Sequence, residues 1–235
     1  MTLILLPNLL DESLSVEFFL PASVGPAVRS LQGLFVESEK AARRYLRRFL
    51  SHDEMQQVAL RLLNEHTKPE ELKSLIEPLT KGERWGVLSD AGLPCLADPG
   101  AELVFHARER GVAVQALVGP SSLILGLQLS GFASQRFAFH GYLPREMPAL
   151  QAAIKGLEKR SEQEMATQLF IEAPYRSEKL LDTLLETLKP TTRLCLAVSL
   201  TTAAEQVVSQ PVAQWKLTRN DFVLGKDPTV FLLHN

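Results

Sequence analysis

The residues most able to do chemistry lie in one stretch, Ser89-Asp90-Ala91-Gly92-Leu93-Pro94-Cys95-Leu96-Ala97-Asp98-Pro99-Gly100. It follows a short apolar run, so it is expected at the C-terminal end of a strand, where parallel sheets bind ligands. Asp90 offers a carboxylate to a ligand hydroxyl or ammonium group. Gly92 and Gly100 let backbone approach a ligand closely. Asp98, followed by Pro99, reads as the N-cap of the next helix, a structural task. Glu37 follows an earlier apolar run and could take a proton from a hydroxyl or orient it. A helix-start acid is the plainer reading of that residue. Lys40, Arg43, Arg44, Arg47 and Arg48 could grip phosphate or form a solvated helix face. Glu172, Tyr175 and Arg176 cluster after a third apolar run, on a loop stiffened by Pro174. His140 reads as a satisfied, partly buried histidine, and His66 lies in a polar loop. Cys95 has no neighbour in sequence that would lower its pKa.

Alternating elements are expected to position these groups. Leu3–Leu6, Leu34–Val36, Trp85–Ser89 and Val112–Leu117 read as strands. Helices are expected over Glu39–Leu50, Glu70–Leu79 (opened by Pro69), Asp98 to Gly111, and Ser121 or Ser122 to Ser130. Ala42, Tyr45, Leu46 and Phe49 stand at helical spacing. This alternation predicts an α/β fold with a mainly parallel N-terminal sheet. From Phe137 the pattern changes. Phe137–Gly141, Gln168–Glu172, Arg193–Ser199, Glu205–Ser209 and Thr229–His234 read as strands, with helices at Pro148–Arg160 and Ser177–Leu188 and a turn around Trp215. A mixed C-terminal sheet is expected, with domains of residues 1–118 and 119–235 that pack closely around a ligand cleft.

Composition narrows the classes. Hydrophobic residues make up 46 % and charged residues 22 % of 235 residues, a globular mix. The formal charge of −2 gives no global basic field for nucleic acid. Cys95 and Cys195 stand alone, so no metal site is expected and a reduced, cytoplasmic setting is. No apolar run reaches the ~20 residues of a membrane helix. The start, Met1 to Pro7, lacks the basic segment of a signal peptide. There is no GxGxxG after the first strand and no P-loop, which argues against a dinucleotide oxidoreductase.

Ser89–Gly100 resembles the signature of the ribosomal RNA 2′-O-ribose methyltransferase branch of the tetrapyrrole methylase superfamily. Four further blocks follow in the same order: Val118-Gly119-Pro120-Ser121-Ser122, Ser130-Gly131-Phe132, Arg136 to Pro144, and Phe170 to Arg176. The resemblance spans about residues 34–188. It implies S-adenosyl-L-methionine as cofactor, held between the domains, and no metal. It carries cofactor contacts onto Asp90, Ala91, Gly92, Leu93, Ser121 and Ser122, and at C-terminal strand ends onto Ala173, Val198 and Thr229. Glu37 and Glu172 become candidate catalytic groups; Lys40, Arg43, Tyr175 and Arg176 become candidate substrate contacts. A homodimer is implied too, as is RNA as substrate in rRNA processing.

Two departures stand out. The family's first loop carries a glycine, whereas Leu6-Pro7-Asn8-Leu9-Leu10 has none. The family's Ala-Glu-Asp-Thr-Arg pattern appears as Val36-Glu37-Ser38-Glu39-Lys40, and Lys does not replace Arg at a bidentate site. A methyltransferase acting on a small molecule or a protein, and a non-catalytic S-adenosylmethionine-binding protein, therefore stay as alternatives to the RNA enzyme.

Overall fold

The computed structural model describes all 235 residues, except that the side chain of Pro69 lies outside the described residues. The chain divides into two compact units, Met1–Ser121 and Ser122–Asn235.

The first unit holds strands β1 (Thr2–Leu5), β2 (Gly33–Val36), β3 (Ala59–Leu62), β4 (Arg84–Leu88) and β5 (Ala113–Ala116). They pair in the order β3-β2-β4-β1-β5, all parallel. Parallel strands need crossovers, and helices supply them: α1 (Val16–Phe19), α2 (Val24–Arg29), α3 (Glu39–Leu46), α4 (His52–Gln56), α5 (Pro69–Thr80) and α6 (Ala101–Glu109). Side chains alternate across the sheet. Leu3, Phe35, Trp85 and Val87 pack with α5 and α6 on one face; Ile4, Leu6, Leu34 and Val36 pack with α2 and α3 on the other. That two-sided burial is why the strands read as continuous apolar runs.

The second unit opens with α7 (Ser122–Ser130). It holds β6 (Phe137–Tyr142), α8 (Met147–Glu164), β7 (Thr167–Ile171), α9 (Ser177–Thr187), β8 (Arg193–Val198), β9 (Gln206–Pro211), α10 (Val212–Thr218) and β10 (Thr229–His234). The sheet order is β6-β7-β10-β8-β9, with β6 parallel to β7 and the remaining pairs antiparallel. Helix α7 lies on one face, where a Cβ at Gly126 would sit 3.4 Å from Ala197 Cβ. Leu184, Phe170, Phe231 and Trp215 fill the other face.

The structure corrects several expectations. Asp98 is not a helix cap: α6 starts at Ala101, with Gly100 at the N-cap position and no side-chain cap. The Ser89 hydroxyl, which donates to Ala91 O at 3.1 Å, is near enough to lower Asp98 against the raising effect of burial. The first long helix stops at Leu46 rather than Leu50, because Arg48 and Phe49 donate to carbonyls three residues back. The stretch around Trp215 is a helix, burying Val212 and Trp215 on one side, not a turn. Strand β3 and helices α1, α2 and α4 had no counterpart in the sequence reading. Strand β3 is a partly exposed edge, so it carries little apolar signal.

Candidate active site at the C-terminal edge of the first sheet

Strand β1 leads leftward to β2 and β4 leads rightward to β5, so their neighbouring C-terminal ends form a switch point of the sheet. Asn8 closes the gap between them. Its Nδ2 donates to Ser89 O at 3.0 Å and Asp90 O at 2.9 Å, while its Oδ1 accepts from Leu9 N at 2.8 Å. The backbone repeats the link: Asn8 N donates to Gly92 O at 2.7 Å and Gly92 N to Leu9 O at 3.3 Å. The third loop, after β5, joins them at Gly119, where an added Cβ would lie 2.0 Å from Pro7 Cβ. The side chain of Asn8 thus ties down a loop that has no glycine. Asn8→Ala is expected to cost about 1–3 kcal/mol, since it leaves two carbonyls without this partner, read as a lower urea midpoint.

The loop from Ser89 to Gly100 is held in unusual backbone conformations. Gly92 has φ +68°, and Cys95 and Ala97 have φ +66° and +68° without being glycine. Such positions recur at ligand sites, where surrounding structure holds the strain. Among the described residues, the N–H groups of Ala91 and Leu93 donate to no protein acceptor.

Three carboxyls gather on this edge. Glu37 follows β2, and its Oε1 accepts from Asp90 N at 3.2 Å. Burial first, then the charge of Asp98, push Glu37 up to about 7. Asp98 is pushed up to about 6, chiefly by burial and against the lowering effect of Ser89. Asp90 is also raised by burial, with Arg44 pulling the other way. Glu37 is therefore not the helix-start acid of α3. That capping task falls to Ser38, whose hydroxyl accepts from Ala41 N.

The basic residues of α3 divide by partner. Arg43 pairs with Glu39 at 3.3 Å, and Arg44 pairs with Glu12. Arg48 donates to Leu14 O and Glu12 O, securing the loop before α1. Lys40 and Arg47 are exposed and have no ion-pair partner among the described residues. Ser121 is buried at the close of the first unit, and Ser122 opens α7.

In the second unit, Ala173, Val198 and Thr229 fall at one edge of the sheet. Val198 pairs with Thr229, and Val230 with Ile171, two residues before Ala173. Glu172 is buried, accepts from Ala173 N at 2.8 Å, and lies 3.0 Å from the Arg176 guanidinium. Tyr175 is 73 % exposed beside this pair. His140 is hydrogen-bonded to Gln168 at 2.7 Å. Burial and the Asp98 charge push the Cys95 thiol up to about 11, so it is no nucleophile at neutral pH.

Sequence reasoning missed two residues of this edge. Asn8 stood in a loop noted only for its lack of glycine, although an Asn after a strand can bridge backbone as it does here. Asp98 was hidden by its Asp-Pro context, which imitates a helix start.

Residues 29–215 match the family model for tetrapyrrole (corrin/porphyrin) methylases. The chain belongs to that family. Among its relatives, the ribosomal RNA small subunit methyltransferase I of Vibrio cholerae is 33 % identical over 65 % of this chain and 51 % of its own length. The protein of the same name in Pasteurella multocida is 34 % identical over 71 % of this chain and 56 % of its own length. The chain thus spans about half the length of the curated relatives it matches. Two solved structures share the fold at 16 % identity: the methyltransferase CobJ and a diphthine synthase, each with a TM-score of 0.62. The alignments cover 100 % and 99 % of this chain and 93 % and 89 % of those chains.

Proposed function

We propose that this chain is an S-adenosylmethionine-dependent methyltransferase that acts on RNA, at a ribose 2′-hydroxyl of small-subunit ribosomal RNA. The observation that carries the reading is Glu37, held on the Asp90 N–H at the switch point of the first sheet and raised to about 7. The names of the relatives in Vibrio cholerae and Pasteurella multocida support the substrate. In the same reading the enzyme works as a homodimer, as the family resemblance implies, in the reduced cytoplasmic setting that the two lone cysteines suit.

The residues present suit the cofactor. A sulfonium and an ammonium group are cationic, and the edge offers Asp90 and Asp98. The N–H groups of Ala91 and Leu93 suit a carboxylate end. S-adenosylmethionine supplies, when bound, a methyl group on a sulfonium that is already an activated leaving group. The protein's work is then to align the acceptor and remove its proton. Glu37 holds a proton affinity close to neutral, so it can accept that proton and release it to water afterwards. Asp90 orients Glu37 through its N–H and places negative charge beside the cationic ligand. Ala173, Val198 and Thr229 would add cofactor contacts from the second unit. Lys40, Arg43 and Tyr175 would meet the RNA, and Arg176, paired with Glu172, would fix the loop that carries Tyr175.

Calorimetric titration with S-adenosylmethionine, S-adenosylhomocysteine and NAD tests the cofactor. The first two are expected to bind with Kd on the order of micromolar, weakened by Asp90→Ala, and NAD is not expected to bind. Transfer of a labelled methyl group to small-subunit ribosomal RNA tests the substrate. Binding without transfer to RNA would move the reading to another acceptor; absence of binding would end it.

A further inference from the structure

Helix α3 buries Ala41, Ala42, Leu46 and Tyr45, and Tyr45 alone among them brings a polar side chain. It is 2 % exposed. A phenylalanine would bury the same ring. The hydroxyl adds a polar atom that costs stability there unless it is hydrogen-bonded. It is bonded: Tyr45 Oη donates to Pro7 O at 3.1 Å. Among the described residues, that carbonyl accepts from no backbone N–H. Burial pushes the Tyr45 phenol up, so it stays a donor throughout the neutral range. The ring stands edge-on to Phe49, with centroids 5.1 Å apart, which fixes the direction of the hydroxyl.

The consequence reaches the candidate base. Pro7 precedes Asn8, whose amide holds Ser89 O and Asp90 O. Asp90 in turn donates its N–H to Glu37 Oε1 at 3.2 Å. Glu37 precedes Ser38, the N-cap of α3, and α3 carries Tyr45. The path closes on itself. Three hydrogen bonds and the chain between them form one ring through Glu37, Tyr45, Pro7, Asn8 and Asp90. A closed ring holds a side chain more firmly than a branch, because no member moves without straining another. The charged groups that face Glu37 are Asp90 and Asp98, both from the loop after β4; Arg44 of α3 and Glu12 of the loop after β1 act on Asp90. The ring uses none of these four side chains, so opening it changes placement and not charge.

We propose that Tyr45 and Asn8 are positioning residues for methyl transfer: the Tyr45 hydroxyl and the Asn8 amide together hold the Asp90 N–H against the Glu37 carboxyl. The purpose of the ring rests on the reading of Glu37 as the base. Its physical claim, that the ring fixes Glu37, needs neither cofactor nor RNA.

Two measurements on the full chain test it. The first follows the Glu37 side-chain carboxyl by ¹³C NMR as pH is raised through 7. The Asp90 N–H lowers Glu37 against the effect of burial, so loosening that bond must move the titration to higher pH. Tyr45→Phe and Asn8→Ala are both expected to do so. The double variant should move it no further than the larger single change, since a ring opened once is already open. The second measurement is kcat and KM for methyl transfer to small-subunit ribosomal RNA at pH 7. Tyr45→Phe should lower kcat roughly 10-fold and leave KM within about twofold, because a misplaced base costs rate and not substrate binding. Thr183→Val is the control. It removes another buried hydroxyl, which donates to Lys179 O at 2.9 Å within α9, and should move neither reading. An unchanged Glu37 titration in a folded Tyr45→Phe protein, an unchanged kcat, or the same shifts in Thr183→Val would each overturn the proposal. If Tyr45→Phe does not fold, Asn8→Ala carries the same test. A parent that transfers no methyl group to RNA removes the methyltransferase reading alone, and the titration still decides whether the ring fixes Glu37.

Discussion

Glu37→Gln is expected to lower methyl transfer to RNA by about 10²–10⁴-fold at pH 8, the usual contribution of a positioned general base. Cofactor affinity should stay within about twofold of the parent in the same calorimetric titration used to test binding. The Gln carbonyl can still accept from Asp90 N, so the loop should keep its place. The pH profile carries the sharper signature. A base must be ionised, and Glu37 titrates near 7, so the rate of the parent enzyme should rise with pH and level off above 7. The variant should lack that limb. Stability should respond with the opposite sign. A carboxyl whose pKa is raised on folding binds its proton more tightly in the native state. Its stabilising effect is present below the unfolded-state pKa and is lost as pH rises through about 7. Glu37→Gln removes the buried negative charge, so above pH 7 the variant should melt higher than the parent. A full rate with the limb intact would remove Glu37 from the chemistry.

Gly119→Ala is expected to be the most disruptive single methyl group on this edge. Its Cβ would fall 2.0 Å from Pro7 Cβ and 3.0 Å from Pro7 Cγ, and a proline ring cannot swing aside. The loops after β1 and β5 must separate, at a cost of about 1–3 kcal/mol, as for other overpacked sites. The shift should reach Asn8, the next residue, and through it Ser89 and Asp90, so cofactor binding should weaken along with stability. Gly156→Ala is the control. Gly156 lies inside α8 with nothing within 4 Å of an added Cβ, and the change should stabilise by roughly 0.5–1 kcal/mol. Urea midpoints read both, and equal effects would show that the Pro7 contact is not a close one.

Much of this architecture is written in short-range patterns. The Leu3–Leu6 run is apolar throughout, so it announced a buried strand of a parallel sheet. Gly111 and Gly131 take positive φ directly after α6 and α7, where the sequence set helix ends. Asp90, Gly92 and Glu37 were readable because they follow apolar runs, and strand ends are where side chains leave the sheet. What stayed hidden depends on contacts between distant residues. Nothing near Asn8 tells that its amide will meet carbonyls 81 and 82 residues away. Asp98 sits in a sequence that suits a cap, but α6 begins three residues later and its carboxyl acts on Glu37 instead. The edge strand β3 buries too little to show an apolar pattern. The Trp215 helix is seven residues long, and its hold on the sheet, a hydrogen bond of 2.8 Å from its indole to Leu194 O, is tertiary.

The interior position of β1 in its sheet bears on how the protein is made. Its neighbours are β4 and β5, which begin at residues 84 and 113. A ribosome adding about 5–20 residues per second needs roughly 4–16 s to pass from β1 to β4. Throughout that interval the emerging Leu3–Leu6 segment has no native neighbour on either edge. The nascent first unit is therefore exposed to aggregation for seconds, and holding by a chaperone on the ribosome should raise its yield.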